Sequence, residues 1–215
     1  MPSKNFIREV LADVVGIEHI IIGYDHHFGK NRTGGIEELT ELSRALHYTV
    51  EEIPAQAIDD ASVSSTKIRQ ALSLGDVQTA QSYLGYPYSL GGTVVHGAQL
   101  GRTLGFPTAN LDLHDPLKLI PADGVYIVSV DMPNGGNAWG LLAIGTRPTV
   151  GSDLLRTHEV WLYNFEGDLY GEALRVHLLH FLRPDQKFDS LDALVVAMNA
   201  DKAAGAAWIA AYAKP

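Results

Sequence analysis

The 215-residue sequence contains no cysteine. Disulfides, thiolate metal sites and a cysteine nucleophile are thereby excluded, and the absence fits a reducing cytoplasm. Basic residues are few beside acidic ones, 16 Lys and Arg against 25 Asp and Glu, for a formal net charge of -9. Such a chain is no general binder of nucleic acid, which requires neutralised phosphates. A nucleotide substrate stays open, because Mg²⁺ and a few backbone amides can screen its phosphates locally. No apolar run reaches membrane-spanning length. The N-terminal stretch MPSKNFIREVLADVV is amphipathic, carries acids and lacks a cleavable apolar core, so it is no signal peptide. Repeats and low-complexity tracts are also missing. What is present is 46% hydrophobic and 19% charged, the composition of a soluble globular protein with room for one large domain or two small ones.

Two regions read differently. Residues 1 to about 85 alternate helix and strand. Phe6, Ile7, Val10, Leu11 and Val14 have helical spacing over Asn5 to Val15. His19 to Gly23 is a continuous apolar run, expected to be a strand buried on both faces of a parallel sheet. Ile36 to Leu46 reads as a second helix and Thr49 to Ile53 as a second strand. Ser64-Ser65-Thr66 caps a helix over Lys67 to Leu74, and Val77 to Leu84 follows as another. This is α/β alternation with crossover connections. Tyr86 to Gly92 marks the boundary. Beyond it come short strands, Thr93–Val95, Gly124–Val130, Trp139–Ile144, His158–Leu162 and Ala173–Phe181, with turn signals at Pro133-Asn134-Gly135-Gly136 and Glu166-Gly167-Asp168. The pattern predicts an antiparallel barrel. A helix over Ser190 to Ala200 follows, with Asp189 as its cap, and residues 203–213 read as a packed helix.

One stretch carries the chemistry. Gly97 to Asn110, GAQLGRTLGFPTAN, sets Gly97, Gly101 and Gly105 beside Gln99 and Arg102 and ends in Pro107-Thr108-Ala109-Asn110. Glycine lets backbone N–H groups approach an anion closely. Thr108 and Asn110, two residues apart, offer oxygen ligands for a hard cation such as Mg²⁺. Taken alone, the run is neither GxxxxGK[ST] nor GxGxxG, and it could be a plain turn.

The C-terminal region closely resembles the riboflavin kinase family. The pieces, in order, are Gly92-Thr93-Val94-Val95-His96-Gly97, Gly101 to Asn110, Pro121 with Gly124-Val125-Tyr126, and Ile144-Gly145-Thr146-Arg147-Pro148-Thr149. Then come Glu159, Asp168-Leu169-Tyr170-Gly171-Glu172, Phe181-Leu182-Arg183-Pro184 and Lys187-Phe188-Asp189-Ser190-Leu191. The N-terminal region resembles the later part of the FMN adenylyltransferase domain that bacteria fuse ahead of the kinase. Ile22 to Arg32 is similar to its glycine-, aspartate- and phenylalanine-bearing loop, and Val63 to Arg69 to its ISSTxIR motif. Together they resemble bifunctional FAD synthetases.

The resemblance implies a division into 1–85, a partial Rossmann-like nucleotidyltransferase domain, and 86–215, an antiparallel β-barrel riboflavin kinase domain with a C-terminal helix. It implies ATP-dependent phosphorylation of the riboflavin 5′-hydroxyl to FMN, with Mg²⁺ beside ATP. Glu159 matches the family's catalytic base. Gly97, Gly101, Arg102, Gly105, Thr108 and Asn110 fall to ATP, and Thr108 and Asn110 also to Mg²⁺. Arg147, Thr149, Lys187 and Phe188 fall to the flavin. Ser64, Ser65, Thr66 and Arg69 are a remnant nucleotide motif, for which helix capping is favoured. The family's HxGH motif occurs nowhere in the sequence, so residues 1–85 read as a truncated remnant, and adenylyl transfer to FAD is not expected of this chain alone. Bland readings stand beside these. Glu159 could be an exposed strand carboxylate, Thr108 and Asn110 could satisfy a turn, Arg147 could be a surface charge, and Asp168 reads as a hairpin-turn residue. Full bifunctional activity is the second functional reading, and a non-catalytic flavin or nucleotide sensor the third.

Overall fold

The structure, a computed structural model, describes residues 1–54, 57–58, 61–97, 99–148 and 154–213. It forms two compact units, Met1–Val63 and Ser64–Pro215. No helix among the described residues is long and apolar enough to cross a membrane.

In the first unit, α1 (Ser3–Asn5) runs on as a helix wound in the wider π form over Phe6–Val15 and stops at Gly16, which is left-handed at φ +68°. β1 (His19–Gly23) and β2 (Thr49–Ile53) pair in parallel, with α2 (Ile36–Leu46) between them in sequence. The Glu38 carboxylate accepts from the Gly35 N–H at 3.1 Å and so satisfies a donor at the start of α2. Ile7, Ile22, Leu39, Leu42 and Tyr48 form the core, with Ile20 partly buried against it. β1 departs from the sequence expectation. Ile20 and Ile22 turn to the helices, but Ile21 is 55% exposed, because the helices cover one face of the pair and leave the other uncovered among the described residues. β3 (Ala57–Ile58) and β4 (Ala61–Ser62) make a short antiparallel pair.

The second unit opens with α3 (Ser65–Ser73) and α4 (Val77–Leu84). Ser64 alone caps α3, its hydroxyl accepting from the Lys67 N–H, while Ser65 and Thr66 already belong to the helix. Asp76 caps α4 through the Thr79 N–H at 3.0 Å. β5 (Ser89–Val95), α5 (Leu100–Thr103), β6 (Ala109–Leu113), β7 (Gly124–Asp131), β8 (Asn137–Pro148), β9 (Leu154–Leu162) and β10 (Ala173–Pro184) follow, and α6 (Leu191–Tyr212) ends the chain. The six long strands close into an antiparallel barrel in the order β10-β5-β6-β9-β8-β7, with β7 returning to β10. β6 had no counterpart in the strand pattern read from sequence. The two helices expected at the C-terminus are one, and its cap is Ser190, which accepts from the Ala193 N–H, rather than Asp189.

Alternation along the strands divides the barrel's residues. Leu90, Val94, Leu111, Tyr126, Val128, Leu142, Ile144, Val160 and Leu178 fill the interior, and Ala71, Leu72, Val77 and Ala80 of α3 and α4 pack into the same core. Val125, Ile127 and Leu141 point outward, where Trp208 and Ile209 of α6 cover them. Gly205 brings α6 close enough for the Tyr163 hydroxyl to donate to the Lys202 carbonyl at 2.7 Å; a side chain at 205 would collide with that ring. Arg183 and the buried Asp201 fasten α6 to β10 with two hydrogen bonds, 2.8 and 2.7 Å. The turn around Asp168 is not a hairpin, because β9 and β10 are not neighbours in the barrel.

Candidate active site

The glycine-rich run is the connection between two paired strands, β5 and β6. Its first half ends in α5, and its return is tied by the Phe106 N–H donating to the Gly101 carbonyl at 2.7 Å. Gln99 and Gly105 take left-handed backbone angles, φ +56° and +85°. Gly97 lies directly on the Asn110 side chain, so any Cβ there would overlap the amide. Gly101 lies equally close to the Phe106 carbonyl, with Thr108 Oγ1 3.3 Å from the place a Cβ would take. Glycine is therefore required at 101 by the nearby backbone, and a side chain at 97 would displace the Asn110 amide.

Beneath the loop, the sheet brings three of the expected residues together. Asn110 of β6 and Glu159 of β9 are direct partners across the antiparallel ladder, which sets their side chains on one face. Thr108 lies two residues before Asn110, and its hydroxyl donates to Glu159 Oε2 at 3.1 Å. All three are half-buried. Trp161, two residues after Glu159, shares this outer face and meets Phe106 at a ring-centroid distance of 6.1 Å. Phe106 is only 7% exposed, so the polar trio has an apolar border. Arg102 is exposed on α5.

The neighbour of Glu159 points the other way. His158 turns inward, and its Nε2 is buried without a hydrogen-bond partner among the described residues. Burial and the Arg156 guanidinium push its pKa below the ordinary histidine value, only partly opposed by a hydrogen bond to the Leu111 backbone and by the charge of Asp123. Arg156 itself donates to Asp123 Oδ1 at 2.8 Å. The inward orientation of His158 was implicit in its alternation with Val160 and Leu162.

The residues expected at the flavin are spread over two segments. The Arg147 backbone belongs to the last turn of β8, paired with Leu155, and Thr149 lies outside the described residues. Lys187 is exposed and Phe188 half-buried in the β10–α6 connection, with the Arg183 guanidinium 5.7 Å from the Phe188 ring centre. The two segments adjoin, since a Cβ on Gly145 would stand 2.8 Å from Asp185 Oδ2. Ser65, Thr66 and Arg69 are exposed on α3 and Ser64 is its cap, the capping role favoured from sequence.

The donor set suits a hard divalent cation. Thr108 Oγ1 gives its hydrogen to Glu159 and keeps its lone pairs, and Asn110 adds an amide oxygen. Both are hard oxygen donors. No group of three His, Cys, Asp or Glu side chains able to hold a metal exists among the described residues. Mg²⁺ commonly takes few protein ligands and completes its shell with phosphates and water.

The riboflavin kinase family model matches residues 84–209 and the FAD synthetase model residues 1–67. A bifunctional riboflavin kinase/FMN adenylyltransferase of Pseudomonas fluorescens is 41% identical over 96% of this chain and 66% of its own length. That of Haemophilus influenzae is 38% identical over 91% of this chain and 63% of its own. The chain thus spans a little under two thirds of these curated relatives. A crystal structure described as a macrolide-efflux protein from Streptococcus pneumoniae superposes with a TM-score of 0.80 at 34% identity, covering 94% of this chain and 64% of that one. With its model matched across the barrel and the helix that seals it, the chain belongs to the riboflavin kinase family.

Proposed function

We propose that the barrel unit transfers the γ-phosphoryl group of ATP to the 5′-hydroxyl of riboflavin, giving FMN and ADP in the cytoplasm. The observation that carries this reading is the meeting of Thr108, Asn110 and Glu159 on one face beneath the glycine loop, with the Thr108–Glu159 hydrogen bond at 3.1 Å. Backbone N–H groups of the loop, with Arg102 at its rim, receive the phosphates. Thr108 and Asn110 hold Mg²⁺, which supplies charge neutralisation at the phosphates when bound. Glu159 accepts the proton of the riboflavin hydroxyl as its oxygen bonds to the γ-phosphorus and the bond to the β–γ bridging oxygen breaks. The hydrogen bond from Thr108 fixes the carboxylate's orientation for that transfer. Arg147, Thr149, Lys187 and Phe188 border the flavin.

The domain division into 1–85 and 86–215 is kept as part of this reading, with α3 and α4 lending core to the barrel from the N-terminal side of the boundary. The match of residues 1–67 to the FAD synthetase model favours an origin of this region in an adenylyltransferase domain. Without an HxGH motif in the sequence, FMN is taken as the end product.

Incubation with riboflavin and Mg-ATP, followed by separation of the flavins, tests both parts. FMN without FAD is the expected result. No FMN removes the kinase reading, and FAD formed by the purified chain restores the bifunctional one. Thr108→Ala should raise the Mg²⁺ concentration needed and cripple turnover at an unchanged melting temperature, and Thr108→Ser should restore both.

A further inference from the structure

The outer side of the glycine loop is held by a residue that the proposed chemistry does not use. Tyr170 lies in the connection from β9 to β10, and its ring stacks on His96 at a centroid distance of 3.8 Å and an interplanar angle of 28°. His96 is the first residue after β5, immediately before Gly97. Three residues on, the Gln99 amide reaches the Tyr170 hydroxyl at 3.5 Å. Tyr170 thus meets His96 through its ring and Gln99 through its hydroxyl, from a segment 71 residues beyond Gln99 in sequence.

Tyr170 is itself fixed. Its N–H donates to Asp168 Oδ1 at 3.0 Å. The Gly171 N–H donates to the Val94 carbonyl and the Val94 N–H to the Glu172 carbonyl, both at 2.9 Å. Leu169, one residue earlier, packs against the barrel core. The ring therefore stands on a segment bonded to the strand from which the loop departs. The inner side of the loop rests on Asn110 through Gly97 and is tied by Phe106 to Gly101. His96 and Gln99, with its left-handed φ of +56°, have Tyr170 as their outer partner.

We infer that Tyr170, with His96 stacked on it, is a positioning residue for donor binding: it holds His96 and Gln99 at the start of the loop whose N–H groups receive nucleotide phosphates. This rests on the assignment of the loop to ATP. Tyr170 acts through the loop, so its loss costs donor affinity and leaves the flavin side untouched.

The test is binding of Mg-ADP by calorimetry and of riboflavin by fluorescence quenching, on the full chain, for the parent, Tyr170→Ala, Tyr170→Phe and His96→Ala. Tyr170→Ala should weaken Mg-ADP about tenfold, the scale of one lost aromatic pair, with riboflavin affinity unchanged. Tyr170→Phe keeps the ring and loses only a long hydrogen bond, so it should stay within about twofold of the parent. His96→Ala removes the same stack from the other side and should repeat the loss; it also decides the matter if Tyr170→Ala does not fold. Parent-like Mg-ADP binding in both alanine variants overturns the inference. So does an equal loss of riboflavin and Mg-ADP affinity, or a loss that Phe does not rescue. A parent that forms FMN while the variants bind Mg-ADP normally sinks this inference alone. A parent that binds Mg-ADP and forms no FMN sinks the kinase reading alone, and a parent that binds no Mg-ADP sinks both.

Discussion

Every barrel strand has a hydrogen-bonded neighbour on each side, whereas β1 and β2 of the first unit have only each other among the described residues. The contrast extends to the cores. Five residues, Ile7, Ile22, Leu39, Leu42 and Tyr48, make the buried centre of the first unit, while the barrel's interior is lined from all six strands and from α3 and α4. A strand fixed on both edges cannot drift, and precise placement of reacting groups depends on such rigidity. Glu159 has that support: β6 beside it brings Asn110, and β8 on its other side leads to Arg147. Ile21, exposed on β1, shows a sheet face that lacks it.

The comparison can be broken most decisively at the carboxylate. Glu159→Gln should lower the rate of FMN formation by about 10²–10⁴-fold, the scale of a general base, with the melting temperature unchanged; parent-like turnover would refute the assignment. Next in size are two shortened chains. One beginning at Ser64 keeps the whole second unit and should form FMN at the parent's rate. One beginning at Tyr86 loses Ala71, Leu72, Val77 and Ala80 from the core and should fail to give a cooperative melt. Equal behaviour of the two would erase the importance of α3 and α4 to the barrel.

Smaller effects separate the units by stability. Asp201→Ala leaves Arg183 half-buried without its carboxylate and should cost about 3–5 kcal/mol in urea unfolding. Leu142→Ala in the barrel should cost about 2–5 kcal/mol and reduce FMN formation at 37 °C, whereas Leu39→Ala in the first unit should cost a similar amount and leave it intact. The smallest concerns pH. The pKa of His158 is depressed in the folded barrel, so folding favours the neutral ring. The stability this preserves is complete above the unfolded value of about 6.5 and is lost as pH falls from there through the depressed folded value. Denaturant midpoints of the parent should drop across that window, and His158→Phe should flatten the drop; an identical acid limb in both would assign it to other groups.

Much of the barrel was legible because its long strands are apolar runs bounded by turn signals, Gly124–Asp131 being buried along nearly its whole length. Gly124–Asp131 and Ala173–Pro184 came out within a few residues of their sequence limits. β6 was not seen although Asn110 and Asp112 alternate with apolar neighbours, because Ala109 to Leu113 is only five residues long and runs straight on from the loop. Thr108 and Asn110 were read as oxygen donors from the glycine run itself, and Glu159 as a base from the ordered motifs of the family. Their meeting on one face was not visible, since it depends on a register between β6 and β9 that joins residues about fifty positions apart. The burial of β1 was misjudged for a related reason: an apolar run reports what a strand could bury, not how many neighbours are there to bury it. Tyr170 belonged to a recognised motif, but its ring partner lies 74 positions earlier, at His96, and no local pattern signals such a pair.

His158 and Glu159 stand side by side on β9, one turned into the barrel and the other out toward the glycine loop. A shift of the strand by one residue would exchange them, turning Val160 outward and placing a carboxylate in the interior near Ile144 and an imidazole beneath the loop. A shift by two would restore the faces but carry Glu159 about 7 Å from Asn110. The energetic penalty of sealing a carboxylate in the interior weighs against the first slip, and the second gives up the pairing of Asn110 with Glu159.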